Sequence, residues 1–169
     1  MCTIPGVMDH ADIERIRIEL VTGLPHRVQW NLLGTEWIFD FSRAQRELLP
    51  GNTIQIVGSD VDPAWSNLLL FGEEYYDGGR SPSLGVHLPT GEIRGLDVER
   101  HGEPMYFINS TARQFIATVG ALDRTLRLGE LPPYELGATL QAIDPLGYPR
   151  SDWRVLVTSS EWSDFARSL

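Results

Sequence analysis

The strongest local constraint on the fold is the stretch Met105–Val119, in which an apolar run passes directly into the start of a helix. Four consecutive apolar residues, Met105–Ile108, precede Asn109, Ser110 and Thr111. Side-chain oxygens of these three types accept hydrogen bonds from the free backbone N–H groups in the first turn of a helix. The stretch therefore predicts a strand that runs into a capped helix.

The helix after this cap has one apolar face. With Thr111 as the cap, Gln114 stands where it can bond back to the cap's own N–H and complete a capping box. Apolar side chains then recur at helical spacing, at Phe115, Ile116, Val119, Leu122 and Leu126. We expect the helix Thr111–Leu128 to lie across a sheet.

Upstream, the chain alternates short strands with turns. Leu68–Phe71 has the composition of a buried strand, and the acidic, glycine-containing segment Gly72–Arg80 is typical of a loop. A hairpin is predicted around Pro89–Glu92, because Pro89 fixes φ for a turn and Gly91 tolerates a positive φ.

This order of strands, turns and capped helix resembles the SUKH superfamily, most closely its fourth family. Ten residues carry the resemblance: Gly72, Glu73, Gly78, Gly79, Thr90, Gly91, Glu92, Asn109, Ser110 and Phe115. The best-matching core is 68–128, about a third of the chain, and Thr111 and Ala112 depart from the Ser and aliphatic residue expected there. Members are mostly bacterial immunity proteins, which bind and neutralise the toxin domains of polymorphic toxin systems, often nucleases or deaminases. The resemblance implies the same role here.

Composition favours one domain and a basic protein partner. At 169 residues and 42% hydrophobic content, the chain fits one domain on a prior of roughly 100–200 residues per domain. Its net charge is −9, from 23 acidic residues against 14 basic ones, all of which are Arg. Such a balance argues against nucleic-acid binding, which needs cations to neutralise phosphates.

Cys2 is the only cysteine, so no intramolecular disulfide and no cysteine-based zinc site is expected, which fits a reducing cytosol. The sequence shows neither the basic and apolar regions of a signal peptide nor an apolar run of ~18–20 residues. We therefore expect a cytoplasmic protein that does not cross a membrane.

The first half of the chain predicts a helix and several strands. Asp9 or Asp12 caps a first helix, which has Ile13, Ile16, Leu20 and Val21 on one face and which Gly23 and Pro25 end. Strand patterns follow at Val28–Leu33, Trp37–Phe41 and Ile54–Val57, with a short helical turn at Ser42–Leu48.

The C-terminal region is mostly helical in its pattern. Tyr134–Ile143 has apolar residues at helical spacing, and Asp144-Pro145 ends it. Trp153–Val157 fits either a strand or a helix, and the resemblance favours helix for part of this tail. The segment 160–167 is predicted to be helical.

These elements predict an α+β fold in a single domain over residues 1–169. We expect a mainly antiparallel sheet of about five or six strands, a usual size for sheets. The first helix and the helix Thr111–Leu128 should pack on one face, and the C-terminal region should be helical.

The segment Glu73–Asp77 is the sharpest candidate for partner binding. Its acids, Glu73, Glu74 and Asp77, complement a cationic surface, and Tyr75 and Tyr76 offer rigid contact area with polar tips. The alternative is that one tyrosine packs in the core while the acids only solvate a loop.

Three residues upstream join this candidate site. Asp60 and Asp62 can add negative charge, or form an ordinary Asp-rich turn before Pro63, and Trp65 can act as a further anchor or as minor core.

No motif predicts catalysis, a cofactor or a metal. The histidines have no zinc-ligand spacing, and the chain has neither a nucleophile elbow nor a Walker-type phosphate loop. The resemblance implies a non-enzymatic immunity protein that blocks the active site of a basic toxin. Two alternatives are a non-catalytic protein-binding regulatory module and a small metal-dependent hydrolase that uses Asp60, Asp62, Glu73 and Glu74.

Overall fold

The computed structural model describes residues 8–46, 67–97, 99–100 and 103–169. The strands are β1 (Arg27–Leu32), β2 (Thr35–Asp40), β3 (Leu68–Tyr76), β4 (Gly79–His87), β5 (Ile93–Leu96) and β6 (Met105–Asn109). The helices are α1 (His10–Gly23), α2 (Ser42–Arg46), α3 (Ala112–Leu126), α4 (Pro133–Ile143), α5 (Asp152–Val157) and α6 (Ser160–Ser168), with a short 3₁₀ helix at Tyr148–Arg150. The predicted strand Ile54–Val57 lies outside the described residues.

The strands form one six-stranded antiparallel sheet in chain order, which confirms the predicted α+β fold. Tight turns make this order possible. Asp77 and Gly78 join β3 to β4 with φ of 52° and 69°, and Gly91 has a φ of 73° in the predicted turn between β4 and β5. Positive φ at both central residues is typical of a type I′ hairpin turn, whose twist matches that of the strands.

The prediction of a loop over Gly72–Arg80 is wrong, because β3 and β4 run through this segment and leave only Asp77 and Gly78 as the turn. The acidic residues and glycines of this segment are also common in loops. The pair Asp-Gly is, however, a strong hairpin signal in its own right.

The predicted passage from strand to capped helix is confirmed at β6 and α3. Thr111 is the N-cap, and its hydroxyl accepts from the backbone N–H of Gln114 at 3.2 Å. The second half of the predicted capping box is wrong: Oε1 of Gln114 accepts from the Thr111 hydroxyl at 2.9 Å and not from the Thr111 backbone N–H. Nε2 of Gln114 donates to the carbonyl oxygen of Ile143 at 3.2 Å. Gln114 therefore ties α3 to the end of α4.

The main core lies between one face of the sheet and the helices, as predicted. Buried side chains of α1, α3, α4, α5 and α6 join those of the strands in one cluster. At its centre, the ring of Phe115 stands edge-on to those of Phe41 and Phe71, with centroids 6.0 and 5.6 Å away. A smaller cluster of Leu68, Leu70 and Leu96 is separate from this core.

The C-terminal region is helical. Trp153–Val157, which fitted a strand or a helix, belongs to helix α5, and the predicted final helix is α6. Asp9 is the cap of α1 and accepts from the backbone N–H of Asp12 at 2.8 Å. None of the helices in the described part of the chain is long and apolar enough to cross a membrane.

We predict that Phe115→Ala lowers the free energy of unfolding by about 3–5 kcal/mol, because the ring is fully buried and its removal leaves a cavity. Chemical denaturation followed by circular dichroism measures the loss. Gly120→Ala, on the exposed face of the same helix where an added Cβ meets no atom within 4 Å, should instead stabilise by roughly 0.5–1 kcal/mol. A loss near zero for Phe115→Ala would show that this helix face is not the core face.

Candidate functional site

The structure separates the residues of the predicted binding segment onto two sides of the sheet. Trp37 pairs with Tyr76 and Phe39 pairs with Glu74, so Glu74 and Tyr76 share the core face with these two buried aromatic residues. Because successive side chains of a strand alternate between faces, Glu73 and Tyr75 lie on the opposite face. Two neighbouring acids therefore have different environments.

Glu73 belongs to a polar group on that opposite face. The Tyr75 hydroxyl donates to its carboxylate at 2.5 Å, and the guanidinium of Arg43 lies 3.9 Å away. Asp77 is exposed in the turn, and its backbone N–H donates to the carbonyl oxygen of Glu36 at 2.9 Å.

The other predicted site residues, Asp60, Asp62 and Trp65, lie outside the described residues. Their roles in partner binding stay predictions.

A cavity of about 490 Å³ opens between the core face of the sheet and helices α5 and α6. This volume is within the range of roughly 300–1,000 Å³ that is usual for ligand pockets. Its aromatic lining is Trp37, Phe39, Tyr76, Tyr106 and Trp153, and its charged lining is Glu74, Asp97, Arg100, Asp152 and Glu161. Four carboxyl groups and one guanidinium thus face the same space.

Glu74 is the most perturbed of these acids. The indole Nε1–H of Trp37 donates to its Oε1 at 2.7 Å, and within the described residues no donor bonds to its other oxygen. Burial raises the pKa of Glu74 to about 7, and the charges of Asp152 and Asp97 act in the same direction against the opposing effect of the Trp37 hydrogen bond. The carboxyl group therefore changes its charge near neutral pH.

Another part of the cavity wall contains a stacked cation. The guanidinium carbon of Arg100 lies 4.4 Å from the centroid of the Tyr106 ring, and its Nη1 donates to Asp152 at 3.2 Å. The ring of Tyr106 covers Gly95 on the neighbouring strand, where a Cβ would collide with it. Burial raises the pKa of the Tyr106 phenol, so this group stays neutral.

A buried carboxylate, Asp144, connects the end of β6 and the start of α3 to the loop after α4. It is 1% exposed. It accepts from the N–H of Ser110 at 2.7 Å, the Ser110 hydroxyl at 2.8 Å, the N–H of Gly147 at 3.0 Å and Nδ2 of Asn109 at 3.3 Å. A Cβ at Gly147 would collide with the carboxylate, so this close approach requires glycine. The junction joins the start of α3 to the end of α4.

Asn109 extends this junction to the cavity wall. Its Oδ1 accepts from the indole Nε1–H of Trp153 at 2.9 Å, and Trp153 lines the cavity from α5. The Asn-Ser pair that begins the helix motif in the sequence is thus a buried connection between the sheet and two later helices. It does not contact the cavity itself.

The cavity suits a cation better than an anion, since carboxylates outnumber the guanidinium and aromatic faces attract positive charge. In the part of the chain that the structure describes, no group of three His, Cys, Asp or Glu side chains is arranged to hold a metal ion.

Sequence reasoning identified Glu74 and Tyr76 but missed the rest of the lining. Trp37, Tyr106 and Trp153 come from three separate parts of the chain, and only the fold brings them together. One usable signal was present: Glu74 and Tyr76 have the two-residue spacing of Trp37 and Phe39 on the preceding described strand.

We predict that Asp144→Ala lowers the free energy of unfolding by roughly 3–5 kcal/mol, because four groups that donate to the carboxylate lose this buried acceptor. Chemical denaturation measures the loss. Asp164→Ala, which removes an exposed acid from α6, should change stability by less than about 0.5 kcal/mol. Equal effects of the two substitutions would contradict a central role for the junction.

We predict that Glu74→Gln is more stable than the wild type at pH 8 by about 3 kcal/mol, with the difference gone at pH 4.5. In the folded protein the pKa of Glu74 is about 7, whereas in the unfolded chain the carboxyl loses its proton near the ordinary Glu pKa of 4.5. Folding is therefore penalised increasingly as pH rises between these values. Urea denaturation across this range measures the difference.

The control is Glu36→Gln, which changes an exposed acid next to Trp37 and outside the cavity lining. Its stability should follow that of the wild type at every pH. A Glu74→Gln variant whose advantage does not depend on pH would show that Glu74 ionises normally in the folded protein.

In comparisons with known proteins, no family model, no curated protein and no solved structure matches this chain. The resemblance to the SUKH superfamily therefore stays a prediction from the sequence motifs.

Proposed function

We propose that this chain is a bacterial immunity protein, which binds a cognate toxin domain, a nuclease or a deaminase, and blocks its active site. The observation that carries the proposal is the acidic, aromatic-lined cavity, where four carboxyl groups and one guanidinium surround a concave space. Such a surface is complementary to a basic protein. The motif resemblance in 68–128 supports the same role.

Charge supports recognition of a basic toxin. The chain carries a net charge of −9, and complementary charge speeds association and disfavours partners of the same sign. A toxin domain that cleaves or modifies nucleic acid needs a cationic surface for its substrate. An acidic protein that covers this surface excludes the substrate by occupying its place.

The end of the β3–β4 hairpin is the proposed contact region beside the cavity. Tyr76 lines the cavity and is 38% exposed, and Asp77 projects from the turn next to it. A partly exposed tyrosine at the mouth of a concave site is typical of a binding anchor. Glu73 on the other face would extend the contact around the hairpin.

The experiment is to co-express the chain with the protein encoded beside its gene and to measure toxicity, co-purification and affinity. We expect neutralisation of the neighbour and a stable complex. In that complex, the variant with Glu73, Glu74 and Asp77 changed to Ala should bind roughly 10- to 100-fold more weakly, because the acids that face the basic partner are lost.

The matched control removes three acids that lie outside the cavity lining, with Asp12, Glu130 and Glu135 changed to Ala. It carries the same net charge as the test variant and should bind the toxin nearly as the wild type does. Equal weakening in both variants would mean that only overall charge matters. Neutralisation with unchanged affinity of the test variant would remove the hairpin end from the interface.

A further inference from the structure

The fold places a carboxyl group where it is costly to ionise and leaves it incompletely bonded. Glu74 lies in the cavity with Oε1 bonded to the indole of Trp37, while its second oxygen receives no hydrogen bond from the described residues. No buried side-chain oxygen among the described residues lacks a partner, so this second oxygen is open to the space of the cavity. A ligand in the cavity can therefore donate hydrogen bonds to it.

The chain's own Arg100 indicates which chemistry this cavity accepts. Its guanidinium stacks on the ring of Tyr106 and bonds to Asp152 at the mouth. One wall of the cavity therefore already accommodates a planar cation, which stacks on an aromatic ring and pairs with a carboxylate. Trp37, which bonds to Glu74, and Trp153, whose ring centroid lies 6.3 Å from that of Trp37, add further aromatic lining.

We propose that the cavity binds the guanidinium group of an arginine side chain presented by a protein partner, with Glu74 as its carboxylate acceptor. Guanidinium fits better than ammonium, because it is planar, stacks on aromatic faces and offers paired donors to a carboxylate. The cavity volume of about 490 Å³ leaves ample room for one such side chain. Only the identity of the partner as a toxin rests on the proposed function.

Binding is coupled to the protonation of Glu74. The ionisable groups that line the cavity with it come from five parts of the fold: Tyr76 on β3, Asp97 and Arg100 between β5 and β6, Tyr106 on β6, Asp152 on α5, and Glu161 on α6. Because the pKa of Glu74 is raised to about 7, the carboxyl is mostly neutral at pH 6 and mostly charged at pH 8. A cation that requires the charged form should bind about tenfold more tightly at pH 8 than at pH 6.

The probe is N-acetylarginine amide, and its neutral isostere, the citrulline analogue, is the matched ligand control. The indole Nε1–H signal of Trp37 in NMR spectra of the full chain reports directly on the group bonded to Glu74. We expect the arginine probe to shift this signal saturably, with about tenfold tighter binding at pH 8 than at pH 6. The citrulline analogue should bind at least tenfold more weakly at pH 8.

Two variants test the assignment to Glu74. Glu74→Gln keeps an acceptor for Trp37 but should weaken binding of the arginine probe about tenfold at pH 8 and abolish the pH dependence. Glu36→Gln, which makes the same change of charge outside the cavity, should bind like the wild type. Arginine and citrulline probes of equal affinity, or a Glu74→Gln variant that binds normally, would overturn the proposal.

The outcomes also separate this site from the proposed function. Saturable binding of the arginine probe without neutralisation of any neighbouring toxin would leave the guanidinium site standing and remove the immunity role. Neutralisation of a toxin by a chain that does not bind the probe would keep the immunity role and overturn the guanidinium site.

Discussion

The buried carboxylate of Asp144 is the interaction on which the arrangement of the helices depends. Its four hydrogen bonds fix the start of α3 against the loop after α4. Through Asn109, the same junction positions Trp153 at 2.9 Å. A buried charge is stable only when its hydrogen-bonding capacity is filled, and these residues fill it with two backbone N–H groups and two side chains. Through Trp153, this junction helps to hold helix α5 over the sheet. The cavity is the space between the sheet and helices α5 and α6.

The carboxyl group of Glu74 has the opposite environment to that of Asp144. Asp144 is surrounded by donors, whereas Glu74 has one indole bond and faces further acids across the cavity. Its raised pKa costs the fold stability as the pH rises from about 4.5 to about 7, and the hydrogen bond from Trp37 is the contact that favours a carboxyl group there. Perturbed carboxyl groups in cavities are common at binding and catalytic sites. A cationic ligand that pairs with Glu74 would turn this destabilising group into a specific acceptor.

Much of the fold could be predicted from the sequence because its signals are local. The cap at Thr111, the apolar face that contains Phe115 and the turn at Gly91 follow from neighbouring residues, and the structure has each of them. The site could not be predicted to the same extent. Glu74 and Tyr76 were identified as binding residues from their chemistry alone. That both lie on the core face of the sheet depends on their pairing with Phe39 and Trp37. The cavity itself depends on helices from the end of the chain. Such long-range placement has no local sequence signal.

The central claim is that the fold keeps Glu74 half-buried and poised to change charge in an otherwise acidic cavity. Its most direct test is an NMR titration of the Glu74 side-chain carboxyl carbon, assigned by comparison with Glu74→Gln. We predict a midpoint at about pH 7, as burial and the neighbouring acids require. A midpoint near 4.5, the ordinary pKa of Glu, would mean that water solvates the carboxylate freely, and it would contradict the account of the cavity.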